Sequence, residues 1–191
     1  MHIDKPKLIS VFRELEGSFS GYSLPLWEDL PDIDLYMDQV ISLIKKYLEI
    51  FYKMTGSEKF ITPSMINNYV KLKIIPSPVK KKYSRLHLAH LLVVCTLKQT
   101  LDMATIQKIL PTYLNEEETK NTYNAFVENQ RKAFLYVIDN VKAVATPILD
   151  AEGDNRARMN DLLMQVAASA NICKILTENI TKFAEVAESE N

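Results

Sequence analysis

Glycine is scarce in this sequence, and its absence from the middle of the chain excludes a common class of site. The 191 residues include four glycines, and none lies between Gly56 and Gly153. Phosphate-binding loops of the Walker and dinucleotide types need glycine where the backbone approaches the phosphate closely. Folds with many tight β-turns need glycine as well. The sequence therefore favours a helical fold and has no such phosphate loop over half of its length.

Cysteine is also rare. Cys95 and Cys173 are the two cysteines, and no C-x-x-C motif occurs. Its absence excludes a zinc ribbon and a paired redox site. Both cysteines lie in apolar stretches, "LLVVCTL" and "SANICKIL". We therefore predict two reduced, buried thiols.

Long hydrophobic runs are absent too. The longest is "LLVVC", far shorter than the roughly 20 apolar residues that span a bilayer. The first residues, "MHIDKPKLISVFRELEG", carry acids early and lack the apolar core of a secretory signal. We expect a cytoplasmic protein with no membrane partner.

Motifs for catalysis and metal binding are missing or weak. No H-E-x-x-H, no G-x-S-x-G and no nucleophile–base arrangement is visible. His87 and His90 are a possible metal pair, but without a third ligand a surface or phosphate-facing pair is the simpler interpretation. Acids cluster between Glu28 and Asp38, where helix caps and first-turn charges are simpler than a metal site. We expect no enzyme activity, no catalytic residue, no metal and no cofactor.

Acidic residues are missing from one segment. Residues 60–101 carry seven Lys or Arg and no Asp or Glu, a net charge of +7. The net charge is −3 over 1–59 and −5 over 102–191, which gives −1 for the whole chain. A nearly neutral protein with one concentrated basic segment indicates a localised site for a polyanion.

Hydrophobic spacing and capping residues predict an all-α fold. An apolar stripe at helical spacing runs from Asp34 to about Met54, and Gly56 suits the C-terminal cap of that helix. Thr62 followed by Pro63 predicts the start of a second helix, over 62–73.

The prolines of "IIPSP" end this second helix. A short basic arm, "VKKKY", follows them and is too small to be a sheet. Ser84 and Asp102 are the predicted N-caps of two more helices, the last running until Pro111. Residues 34–110 therefore form a compact four-helix unit in this prediction.

The flanking regions are predicted to be helical as well. Residues 1–33 form a short helix and an ordered loop, and Leu24, Leu26, Trp27 and Leu30 pin the loop. Two long amphipathic helices follow residue 114 as a hairpin or bundle, with a break at Gly153. The predicted domains are 1–33, 34–113 and 114–191, the last for dimerisation or sensing. A small apolar effector is a further possibility, enclosed by Phe126, Phe134, Val166 and Phe183.

The order of helix, turn, helix and basic arm over 34–85 is typical of a helix-turn-helix with a wing. The second helix of such a unit fits the major groove, where its first polar residues reach base edges. Asn67 and Asn68 suit this role because an amide both donates to and accepts from adenine. Neighbouring lysines contact phosphate, which fixes the register without reading sequence. The alternative is a solvated basic face.

Three segments carry a resemblance to a known family. "ITPSMINNYVKLKIIPSP", "KKKYSRLHLAHL" and "LKQTLDMATIQKIL" resemble the winged helix-turn-helix of MerR-type (mercury-resistance-like) regulators. Ile66 takes the place of the leucine in their recognition helix, and Tyr69 that of its second tyrosine. Lys82 and Tyr83 stand at the Arg-Tyr of their wing, and Asp102 at the cap of the last helix. The resemblance implies a recognition helix for the major groove and a wing on the DNA backbone.

The chain also departs from the MerR-type pattern. Asn67 stands where those proteins usually have Arg, and Asn68 where they have an aromatic residue. The first helix is longer, the wing lacks its glycine, and no cysteine lies where metal-sensing relatives bind their inducer. Residues 24–110 as a whole are similar to a bacterial family described as a domain of unknown function. That similarity implies a MerR-like DNA-binding fold and, through a relative, a transcriptional repressor.

We therefore predict a bacterial transcriptional regulator, a repressor, that binds double-stranded DNA as a homodimer. Helix 62–73 would read the major groove, and the arm 80–85 would hold phosphates. The predicted DNA-binding residues are Thr62, Ser64, Asn67, Asn68, Lys71, Lys73, Lys80, Lys81, Lys82, Tyr83 and Arg85. The alternative is a helical adaptor whose basic segment binds an acidic protein partner.

Overall fold

The computed structural model describes residues 5–56, 60–110, 115–150 and 156–189. Eight α-helices lie in these ranges, together with a 3-10 turn at Trp27–Asp29. They are α1 (Lys5–Ser20), α2 (Met37–Tyr47), α3 (Glu49–Thr55), α4 (Pro63–Lys71), α5 (Arg85–Leu97), α6 (Met103–Ile109), α7 (Glu116–Asp150) and α8 (Arg156–Ser189). The described residues form no β-strand beyond isolated bridges, which confirms the all-α prediction. No helix in these ranges is both long and apolar enough to cross a bilayer.

The chain forms two compact units whose bounds differ from the predicted domains. One unit comprises Ser23–Asn129, and the other comprises Met1–Tyr22 with Gln130–Asn191. The second unit thus joins the N-terminal helix to the C-terminal helices. The predicted break at Gly153 lies outside the described residues, and so does Pro111, until which the last helix of 34–110 was predicted to run; α6 itself ends at Ile109.

Helix α5 is the centre of the first unit. Its nine residues from His87 to Cys95 are all buried, as expected for a helix that is apolar on every side. Helix α2 packs against α5 through its apolar stripe, in which Val40 and Ile44 are completely buried. Helices α3 and α4 in turn contact α2.

The loop before α2 is ordered by contacts with the first turns of α7. The amide of Trp27 donates to Asn124 Oδ1 at 2.8 Å, and the Tyr123 hydroxyl donates to the Pro25 carbonyl at 2.8 Å. Leu24, Trp27 and Leu30 are buried as predicted, whereas Leu26 is exposed. The start of α7 thus belongs to the same unit as the predicted DNA-binding helices.

The second unit has a smaller core. Phe19 of α1 stacks at a tilt on Phe134 of α7, with ring centroids 5.0 Å apart. Ala145, Met159 and Leu162 form a buried cluster between α7 and α8. Both long helices were predicted.

The prediction of one continuous helix from Asp34 to about Met54 is wrong. The segment divides at Leu48, whose backbone leaves the helical region at φ −104° and ψ 19°, into α2 and α3. The Leu48 side chain is completely buried, so the bend allows an apolar residue to reach the core. The unit over 34–110 therefore has five helices rather than four. Gly56 ends α3 in the left-handed region at φ 62°, as predicted.

The two cysteines differ. Cys95 is completely buried, and burial raises the pKa of its thiol to about 12. Cys173 is exposed on α8, so the prediction of two buried thiols is wrong for this residue. The neighbouring apolar residues Ile172, Ile175 and Leu176 are exposed as well.

Candidate nucleic-acid interface

Helix α4 begins as its sequence predicts. Thr62 is the N-cap, and its Oγ1 accepts a hydrogen bond from the Met65 amide at 3.2 Å. Pro63 occupies the first helical position, where no amide hydrogen is needed. Thr62 therefore has a structural role in fixing the start of the helix.

Replacing Thr62 by Ala should destabilise the protein by about 1 kcal/mol, because the cap bond to Met65 is lost. Thermal unfolding followed by circular dichroism measures the effect. Ser64→Ala, one residue inside the helix at an exposed position, is the matched control and should change the free energy of unfolding by less than about 0.5 kcal/mol. Equal effects of both variants would contradict the capping role.

The two sides of α4 differ in chemistry. Ile66 and Tyr69 are buried, at 0% and 4% exposure, and anchor the helix, which contacts α2. The opposite side is exposed and carries no acid. Its exposed residues fall at spacings of three, four and seven, so they share one face: Ser64, Asn67, Asn68 and Lys71.

The end of α4 places a lysine in an unusual conformation. Lys73 has φ 57°, in the left-handed region where glycine is the usual residue. The amide of Ile74 donates to the Tyr69 carbonyl at 2.9 Å, and that of Lys73 to the Val70 carbonyl at 3.0 Å. These two bonds form a Schellman motif, which turns the chain so that Ile74 is completely buried and the Lys73 side chain is exposed.

The basic arm is a two-residue hairpin. Val79 and Lys82 exchange both backbone hydrogen bonds, at 3.1 and 2.9 Å. The residues between them, Lys80 and Lys81, have φ 49° and 64°. Two successive positive φ values define a type I′ turn, for which Asn-Gly is strongly preferred. Placing lysine at both positions costs roughly 1 kcal/mol each, and strain of this kind concentrates at functional sites.

The C-terminal end of the arm is held by contacts with His87 and with Leu35 and Tyr36, which precede α2. Tyr83 and Leu35 exchange backbone hydrogen bonds at 2.8 and 2.9 Å, and the Tyr83 ring packs edge-on against His87 at 5.4 Å. The Lys82 ammonium lies 5.5 Å from the centroid of the Tyr36 ring. Tyr83 is only 3% exposed, so it supports the arm from beneath.

Arg85 and Lys98 are engaged inside the unit. The Arg85 guanidinium lies 3.4 Å from Asp32 Oδ1 and over the Trp27 ring. The Lys98 ammonium donates to the Phe60 carbonyl, and burial lowers the pKa of this lysine. Two of the seven basic residues in the acid-free segment therefore serve the fold.

Seven of the eleven predicted DNA-binding residues are exposed: Ser64, Asn67, Asn68, Lys71, Lys73, Lys80 and Lys81. Lys82 is half-buried. Thr62, Tyr83 and Arg85 instead make the intramolecular contacts described above. Sequence reasoning missed that Leu35 and Tyr36, before α2, hold the arm, because nothing in the sequence indicates a backbone pairing across 48 residues.

The histidine pair is not on the surface, which corrects that expectation. His87 and His90 are 5% and 3% exposed. His87 Nδ1 accepts the Ser84 amide at 3.0 Å and so caps the start of α5. His90 Nδ1 lies 2.9 Å from the Leu86 carbonyl. Within the described ranges, no group of three His, Cys, Asp or Glu side chains suits a metal ion.

The environment of His87 favours the neutral form of its ring. Burial lowers its pKa, and the nearby His90 acts in the same direction, while the Ser77 backbone and Asp34 oppose the shift. A protonated Nδ1 also could not accept the Ser84 amide. Acid should therefore destabilise the unit through this residue.

The free energy of unfolding should fall as the pH drops below about 6.5. At such pH the histidine of the unfolded chain binds a proton, whereas His87 in the folded protein, with its lowered pKa, binds it less readily. Above that pH the contribution is fully present. His87→Gln keeps an acceptor three residues after Ser84 and should flatten the decrease. Melting temperatures from pH 7.5 to 5 test this, and the same slope in both proteins would contradict it.

The effector enclosure stays a prediction, because its residues come from both units. Val166 and Phe183 are 43% and 75% exposed. Phe126 lines a mainly apolar cavity of about 440 Å³ in the Ser23–Asn129 unit, together with His90 and Val93. This cavity lies beside α5.

A family model described as "Domain of unknown function (DUF1836)" matches residues 25–126, more than half of the chain. The match includes α2 to α6, the arm and the first part of α7. No curated protein and no solved structure gives a significant match.

Proposed function

The chain belongs to the DUF1836 family, and we propose that it is a transcriptional repressor that binds double-stranded DNA. Helix α4 enters the major groove, and the arm contacts the phosphate backbone. The assignment to a MerR-like winged helix-turn-helix and the cytoplasmic location are parts of this proposal.

One observation supports the proposal most. The acid-free segment exposes four lysines, and three of them, Lys73, Lys80 and Lys81, hold positive φ angles that lysine adopts at a cost. A fold under no functional constraint would favour glycine or asparagine there. Phosphate binding gives a reason for the positive charge at these strained positions.

The exposed face of α4 fits the second part of the proposal. Asn67 and Asn68 have the amide donor and acceptor that pair with the N6 and N7 atoms of adenine. Lys71, one turn further along the same face, suits a phosphate. Because the buried side of α4 is fixed on α2, these side chains can approach a groove without rearrangement of the core.

Fluorescence anisotropy with labelled duplexes, selected from genomic fragments that the protein retains, tests the proposal. We expect affinity for a preferred site to exceed that for a scrambled duplex, and both to fall steeply with salt. Failure to bind any duplex at 50 mM salt would overturn it.

The rival function is an adaptor that binds an acidic protein. DNA–cellulose chromatography at moderate salt separates the two: a DNA-binding protein is retained, and an adaptor for a protein partner elutes in the flow-through.

A further inference from the structure

Helix α8 exposes a regular, mainly apolar seam that no described residue of its own unit covers. Its seam positions alternate in spacing between three and four residues, the heptad pattern of a coiled coil. They are Met159, Leu162, Val166, Ser169, Cys173, Leu176, Ile180 and Phe183. The first two are buried in the chain's own core. The other six, which we call the α8 seam, are exposed.

The exposure is large for side chains of this kind. Leu176, Ile180 and Phe183 are 54%, 66% and 75% exposed. The residues that are half-covered in the same part of the helix are polar: Thr177, Glu178 and Thr181. The described residues of this unit therefore half-cover polar side chains here and leave apolar ones exposed, which costs free energy unless a partner covers them.

Charge along the helix follows the same division. Between 163 and 183 the charged residues are Lys174, Glu178 and Lys182, and all three occupy the outer heptad positions, away from the seam. The positions that flank the seam are uncharged. A partner helix with charged flanking positions would find no oppositely charged residues here. A second copy of the same helix has uncharged flanking positions too and matches this surface.

From this we infer that α8 pairs with α8 of a second copy as a parallel two-stranded coiled coil. Val166, Cys173 and Ile180 occupy the first core position of successive heptads, and Ser169, Leu176 and Phe183 occupy the second. The β-branched Val166 and Ile180 at the first position and Leu176 at the second follow the pattern that favours parallel dimers. The seam lies outside the family-matched residues, and the inference gives the proposed homodimer its contact surface.

Sedimentation velocity without DNA tests the pairing. The wild type should sediment at twice the chain mass of 21.9 kDa. Ile180→Asp should shift it to a monomer, because a carboxylate is placed in the seam. Met164→Asp is the matched control: Met164 is 73% exposed on the same helix but in an outer position, so this variant should remain a dimer. A monomeric wild type, or equal effects of both variants, would overturn the inference.

The orientation is tested by disulfide crosslinking under mild oxidation. In the parallel arrangement Cys173 faces Cys173 of the second copy, so a covalent dimer should form, and Cys173→Ser should abolish it. Cys95 is completely buried and should not contribute. Crosslinking of Cys173 only to a Ser169→Cys partner would indicate antiparallel helices and overturn the parallel pairing. Because no DNA is present, failure here leaves the DNA-binding proposal standing.

Discussion

Replacing Lys80 by Asn and Lys81 by Gly should weaken binding to every DNA duplex while leaving the protein at least as stable as the wild type. The change removes two charges from the tip of the arm. Each phosphate contact contributes about 0.9 to the slope of log affinity against log salt, so the slope should fall by about 1.8. Because the contribution of phosphate contacts to the affinity falls to zero near 1 M salt, the variant should bind roughly 30-fold more weakly than the wild type at 0.15 M salt.

The stability of this variant is what makes the test decisive. Asn-Gly is the preferred sequence of a type I′ turn, and both lysines hold positive φ angles. The substitution therefore relieves strain and should raise the free energy of unfolding by up to about 1–2 kcal/mol. Weaker binding then cannot be attributed to a damaged fold.

A matched control removes two adjacent lysines outside the acid-free segment. Lys45 and Lys46 lie exposed in the last turn of α2, and Lys45→Gln/Lys46→Gln changes the net charge by the same amount. Anisotropy titrations at several salt concentrations measure both variants. If the two reduce affinity and salt slope equally, binding depends on overall charge and the arm has no special role.

Replacing Asn67 and Asn68 by Ala should remove sequence preference more than affinity. Each bidentate contact between an amide and adenine contributes about 1–3 kcal/mol of discrimination, so the ratio of preferred to scrambled affinity should fall by at least about fivefold. Both residues are exposed in α4, and alanine favours a helix. The fold should therefore be unaffected.

Lys71→Ala provides the contrast for this experiment. Lys71 lies on the same face of α4, but a lysine that contacts phosphate supports all sequences alike. This variant should lower affinity for preferred and scrambled duplexes by the same factor and should reduce the salt slope by about one. If the asparagine variant behaves in the same way, Asn67 and Asn68 position the helix and do not read bases.

Local rules predicted the features of this fold that depend on neighbouring residues. Thr62 before Pro63, Asp102 before α6 and Gly56 after α3 each satisfy or end a helix by themselves, and the structure confirms all three. The charge segregation of 60–101 is likewise a property of the sequence.

Features that depend on distant packing were not predictable in this way. The bend at Leu48 occurs because the core takes up its side chain, and the stripe through that residue is equally compatible with a straight helix. His87 is buried because α5 is surrounded on all sides. The arm contains neither Gly nor Asn, so its sequence carries no signal for a type I′ turn.

The contrast between the two thiols makes the chain a ready-made substrate for site-selective labelling. The thiolate is the reactive form of cysteine, and a buried Cys95 with a pKa of about 12 offers almost none at neutral pH. In the monomeric Ile180→Asp variant, whose α8 seam stays exposed, a maleimide dye should therefore attach at Cys173. A second equivalent should react only once the Ser23–Asn129 unit opens, so the rate of that second attachment reports how often its central helix becomes accessible.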